Sequence, residues 1–129
     1  MKRPGYTSLV FRALWELVRY EVVQSLFGFN RIHDQMAKFP VRRRAVAPGM
    51  ETAVCDAVTL AMCFYYKRVL CLQRSTVAAR ILRRKGIDAR LVIGVRPAPF
   101  LSHAWVEVDG RTVNDSPVYR ERLQILSVV

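Results

Sequence analysis

The residues of this chain best suited to chemistry are one cysteine, one histidine and one aspartate. Cys71 stands where a helical stretch running to about Lys85 is predicted to begin. There, unpaired backbone N–H groups and the positive end of the helix dipole stabilise a thiolate. Cys55 and Cys63 fall inside an earlier helical run and read as core thiols. Taken alone, Cys71 between Leu70 and Leu72 would also pass for core. Of the two histidines, His33 follows the first helix in a polar stretch and reads as a surface residue. His103 opens the strand Ser102 to Gly110, in which Ala104, Val106 and Val108 share one face and His103, Trp105 and Glu107 the other. A thiolate and an imidazole together can carry out acyl transfer, the sulfur attacking a carbonyl and the ring moving the proton.

Such a pair needs an acceptor on the second ring nitrogen to fix tautomer and orientation. Asp115 can supply it, and two hairpin registers bear on this. A two-residue Asp109-Gly110 turn pairs Val108 with Arg111 and leaves His103 opposite Ser116. A three-residue Val108-Asp109-Gly110 loop with a bulge pairs Glu107 with Arg111 and sets His103 beside Asp115. The second register also aligns opposite charges, a gain of about 0.2–1 kcal/mol, so the three-residue loop is predicted. Without the histidine opposite, Asp115 would read as a turn residue of Asn114-Asp115-Ser116-Pro117.

The positioning elements follow from periodicity. Leu9, Leu14, Leu17, Val18, Val22 and Leu26 recur at helical spacing, predicting an amphipathic helix over 1–30 that either packs on its own core or docks another protein, with a stop at Gly28 and Asn30. A basic, proline-bounded linker occupies 40–49. A second helix is predicted over Glu51 to Lys67 and a third from Cys71, ended by Gly86. Extended segments then begin near Ala89, Ser102 and Leu123. Helices followed by strands predict an α+β fold with a small antiparallel sheet, in a single domain over 1–129 whose catalytic core is 50–129.

At 129 residues and 52% hydrophobic, the chain can bury one core. Its formal charge of +11 favours an anionic partner. No RNA-binding signature or aromatic stacking platform accompanies the charge, so nucleic acid is not the expected partner. Three cysteines without a CxxC pair suit neither a disulfide framework nor a zinc site; no metal or cofactor is expected, and reduced thiols fit the cytosol. Arg12, Glu16, Arg19 and Glu21 interrupt the apolar N-terminal stretch, which argues against a membrane span, and no secretory signal is visible. A cytoplasmic protein is expected.

Three blocks in order, Cys71-Leu72-Gln73-Arg74-Ser75, then Leu82 to Val95, then His103 to Gly110 with Asn114-Asp115, resemble the leader peptidases of lasso-peptide biosynthesis. These are the protease half of the split B protein, in the transglutaminase-like (papain-like cysteine protease) superfamily. The match is close over roughly 68–116 and one of character only upstream. The resemblance implies a Cys71–His103–Asp115 triad with Cys71 as nucleophile, His103 as base and acid, and Asp115 as orienter. It further implies a ribosomally made precursor peptide as substrate, cut after its leader with a Thr at the penultimate leader position. A PqqD-like leader-recognition protein and a separate lasso cyclase are the implied partners. Transglutaminase or amidase-type acyl transfer, and a non-enzymatic basic binding module, remain the alternatives. The backbone N–H of Cys71 is a natural first oxyanion donor, with no second named by the sequence. Gln73 is not assigned that role, and Ser75 either packs the helix or lines the pocket.

Overall fold

Helical periodicity runs through Lys85 and strand alternation follows it, and the chain folds in that order. A computed structural model describes residues 6–41, 46, 48–97 and 99–129. Four helices come first: α1 (Tyr6–Phe27), α2 (Phe29–Lys38), α3 (Met50–Phe64) and α4 (Cys71–Arg84). Then follow β1 (Ala89–Pro97), β2 (Phe100–Val108), the two-residue β3 (Arg111–Thr112), the short α5 (Val118–Arg122) and β4 (Gln124–Val128). The strands form one antiparallel sheet in the order β3-β2-β1-β4, which is the expected α+β arrangement. Half of the predicted basic linker, residues 42–45 and 47, lies outside the described residues. No described helix is long and apolar enough to cross a membrane.

One face of the sheet carries the main core, in which Ala104, Val106 and Val108 of β2 and Leu91 of β1 meet Leu17 of α1, Val54 and Val58 of α3, and Val77 and Ile81 of α4. The other face holds a smaller cluster of Val92, Trp105 and Leu123, with Tyr119 of α5 packed on it. β2 therefore presents its aliphatic side to the helices and His103, Trp105 and Glu107 to the α5 side, as alternation predicts. Gly94, directly opposite His103 in the register, makes room for this second layer. A Cβ there would lie 2.9 Å from both Leu123 Cβ and Trp105 Cη2, so any side chain would displace the indole beside His103.

α1 ends at the expected stop, Gly28 (φ 82°), but a helix that the sequence does not predict, α2, continues beyond it. The inward face of α1 also differs from the expected one. α1 turns Leu9, Ala13, Glu16, Leu17 and Tyr20 inward, while Phe11, Trp15, Val18, Val22 and Leu26 are exposed. The expected apolar face is thus split. Glu16 faces the core because Arg80 of α4 meets it there at 2.9 Å, and satisfying that pair rotates the aliphatic stripe toward solvent. His33 is also not a plain surface residue: its Nε2 lies 2.9 Å from Ser127 Oγ of β4.

Candidate active site

α4 begins at Cys71, preceded by Leu70 in extended conformation with no side-chain cap. Its first-turn amides are therefore left without a capping acceptor, and the first intrahelical bond runs from Arg74 N to Leu70 O. Cys71 is half-buried and unpaired. The other thiols stand in different surroundings. Burial, then the charges of Asp56 and Glu51, push the Cys55 thiol up to about 11, while Cys63 is exposed on α3 and not the core residue expected, its thiol turned back on Thr59 O.

His103 and Asp115 meet, with Nε2 2.7 Å from Asp115 Oδ2. They do so without the predicted three-residue loop. Val108 pairs with Arg111 and Glu107 with Thr112, so the turn is the two-residue Asp109-Gly110, with φ of 52° and 78°. Positive φ at both central positions is the type I′ geometry that Asp-Gly favours. The predicted Glu107–Arg111 pair does not form: Arg111 reaches Glu51, and buried Glu107 binds Arg120 at 2.9 Å and accepts from Trp105 Nε1. Continued pairing in this register would leave Asp115 on the wrong side. The ladder instead ends at Val113, which donates to Val106 O, and Asn114 Oδ1 takes the next position by accepting from Val106 N. A side chain replaces a main-chain carbonyl, the backbone departs from β2, and Asp115 swings back onto His103.

Because β3 stops at Thr112, the edge of β2 near His103 is left for the start of α4. Ser75 Oγ, one helical turn after Cys71, donates to Ala104 O at 3.1 Å and accepts from Asn114 Nδ2. Arg74 Nη2 donates to Asp115 Oδ2 at 2.8 Å. Two bonds thus join the first turns of α4 to the residue after His103 and to the carboxylate that orients it. Residues four apart share a helix face, so Cys71 lies one turn before the contact at Ala104. Burial of Asp115 opposes its charge. The hydrogen bonds from His103 and from the Ser116 N–H outweigh this, with the charges of His103 and Arg74, and hold the carboxyl below the usual range.

His103 Nδ1 has no hydrogen-bond partner among the described residues, and the ring is packed by Tyr119, 4.0 Å between centroids, with Trp105 beyond it. Gln73 is buried and donates to Leu17 O, fastening α4 to α1. Sequence patterning does not mark Arg74, Asn114, Tyr119 or Glu107 as supports of the site. Their only local signal is the position of Asn114 next to Asp115. Among the described residues no group of three or more His, Cys, Asp or Glu is placed to hold a metal ion.

Comparison with known proteins agrees with this architecture. A family model described as the transglutaminase-like superfamily matches residues 14–128. A 59-residue segment, 46% of this chain, is 49% identical to the Microcin J25-processing protein McjB of Escherichia coli. That segment spans 28% of McjB. No solved structure matches. With the family model covering nearly the whole chain, through the helices and the sheet alike, the protein belongs to the transglutaminase-like superfamily.

Proposed function

We propose that the protein is a cysteine peptidase that removes the leader from a ribosomally synthesised lasso precursor peptide, acting through Cys71, His103 and Asp115. The observation that carries this reading is the His103–Asp115 bond tied through Arg74 and Ser75 to a helix that begins, uncapped, at Cys71. The similarity to a protein named for processing microcin J25 supports a peptide substrate. In this mechanism the Cys71 sulfur adds to the scissile carbonyl, His103 gives a proton to the leaving amine, and water, deprotonated by His103, hydrolyses the thioester. With Nε2 held by Asp115, Nδ1 is the nitrogen that handles the proton. Unpaired thiols fit a reducing cytoplasm.

The test is the mass of the products when the protein meets precursor peptide and leader-recognition protein. One intact leader and one intact core are expected, the core then passing to a cyclase. Superfamily membership favours one other reading, acyl transfer to an amine or hydrolysis of a glutamine side chain. Either would leave the main chain uncut and change the substrate mass instead.

The leader-recognition protein is proposed to bind the exposed stripe of α1. Phe11, Trp15, Val18, Val22 and Leu26 follow helical spacing, and Trp15 and Leu26 are 61% and 71% exposed. Trp15→Glu with Val18→Glu is expected to weaken binding of that protein at least tenfold, a loss of about 1.4 kcal/mol or more, with an unchanged circular dichroism spectrum because neither side chain is core. Unchanged affinity in a titration calorimeter would remove α1 as the docking surface.

A further inference from the structure

The uncapped start of α4 adjoins a cavity of about 490 Å³ walled by α1 and by the residues flanking Cys71, namely Leu70, Leu72 and Gln73. Tyr20 of α1 lines it. This side chain is only 4% exposed, yet its hydroxyl makes no hydrogen bond to a described residue. The oxygen is not sealed from solvent, so this donor opens on the cavity while the rest of the ring is buried. The elements around Tyr20 are also held in place. Gln73 and Tyr65 both donate to Leu17 O, one turn before Tyr20, and the Tyr65 and Tyr66 hydroxyls donate to Glu21. Lys67 pairs with Glu21 at 3.2 Å, so the segment leading to Cys71 is tied to the same part of α1.

Resting on the peptidase reading, we propose that Tyr20 is the second oxyanion donor, its hydroxyl and the Cys71 backbone N–H both donating to the scissile carbonyl oxygen. As the Cys71 sulfur bonds to the carbonyl carbon, the π electrons move to that oxygen and the two donors take up its charge. When the oxygen re-forms its double bond, the C–N bond breaks and the amine leaves with the proton from His103. The substrate oxygen is then the missing partner of the Tyr20 hydroxyl. Burial, and secondarily the charge of Cys71, push the hydroxyl up to about 12, so it keeps its proton at neutral pH and remains a donor.

The experiment compares wild type, Tyr20→Phe and Cys71→Ala on precursor peptide with the recognition protein present, and measures iodoacetamide alkylation of Cys71 against pH. Tyr20→Phe removes one oxygen and keeps the ring, so the fold is retained. The expected result is a fall in kcat of about 10²–10³-fold, as for other single oxyanion donors. KM and the pH profile of alkylation should not change. A kcat within about threefold of wild type, a change confined to KM, or a shifted alkylation profile would each overturn the assignment, the last because Tyr20 would then act on the sulfur itself. Absence of cleavage by the wild type defeats the peptidase reading and this assignment together, whereas active wild type with equally active Tyr20→Phe defeats the assignment alone.

Discussion

Replacing Cys71 with alanine is expected to lower the rate of leader removal by about 10⁴-fold or more, to the limit of detection, because nothing else in the site can form the covalent intermediate. The alternatives can be excluded one at a time. Cys55 lies on α3 with its thiol pushed up to about 11 and directed at Val113 O, and Cys63 is bonded within its own helix. Cys55→Ala and Cys63→Ala should therefore retain wild-type turnover within a few-fold. Since Cys71 is only half-buried, its alanine variant should remain folded and bind precursor peptide, which separates lost chemistry from lost structure. The measurement is single-turnover cleavage read by mass spectrometry, and a Cys71→Ala protein that still cuts would sink the nucleophile assignment.

The same site indicates why the histidine should depend on its neighbours. Asp115 Oδ2 accepts from His103 Nε2 and Arg74 Nη2, and Oδ1 accepts from Ser116 N. A carboxylate with three donors has little freedom to turn, and the imidazole it holds keeps Nδ1 without a partner among the described residues. The supporting layer beyond His103, built from Tyr119, Trp105, Glu107 and Arg120, fixes the ring plane while Asp115 fixes the nitrogen. Orientation of the imidazole is thus shared between a polar contact and a packed aromatic face.

What the sequence made legible and what it did not divide along physical lines. The start of α4 at Cys71 and its end near Gly86 were readable because helix boundaries are set by local residues. The faces of β2 were readable because alternation is local too. The hairpin register is not legible in this way: the juxtaposition of His103 with Asp115 and a Glu107–Arg111 attraction of about 0.2–1 kcal/mol both point to a three-residue loop, yet the preference of Asp-Gly for a two-residue turn prevails. Partners far along the chain decided the outcome: Arg111 found Glu51, and Glu107 found Arg120 and the Trp105 indole. His103 still met Asp115, through an Asn114 side chain standing in for a carbonyl, which no period-two pattern encodes. The orientation of α1 was obscured for a similar reason. A glutamate in an amphipathic helix reads as solvent-facing unless its buried arginine is known.

That arginine gives the largest effect expected on stability. Glu16 and Arg80 are buried, with 1% and 7% of their side chains exposed and 2.9 Å between Oε2 and Nε. Arg84 Nη2 approaches the other oxygen of Glu16 at 4.0 Å. Arg19 stands close enough for its guanidinium to be depressed by burial and then by Arg80, with Glu16 opposing that repulsion. Glu16→Ala would leave the buried Arg80 guanidinium without the carboxylate it binds and beside the like charges of Arg19 and Arg84. Removing one partner of a buried pair costs about 3–5 kcal/mol, against a total stability of about 5–15 kcal/mol for domains of this kind. The stacking of Arg80 on the Phe39 ring, 4.8 Å from the centroid, holds the cation in place and restricts its escape to water. Replacing both partners, as in Glu16→Leu with Arg80→Met, removes the stranded charge as well as the pair and should recover most of the loss. Urea denaturation of the two single variants and the double would resolve this. If Glu16→Ala lost less than about 1 kcal/mol, the value typical of an exposed pair, the pair would not be the feature that turns α1 inward at Glu16. The consequence reaches the site, because the same helix carries Tyr20 one turn further on. A weakened α1–α4 contact should therefore lower turnover in the surviving folded fraction as well as the fraction that is folded.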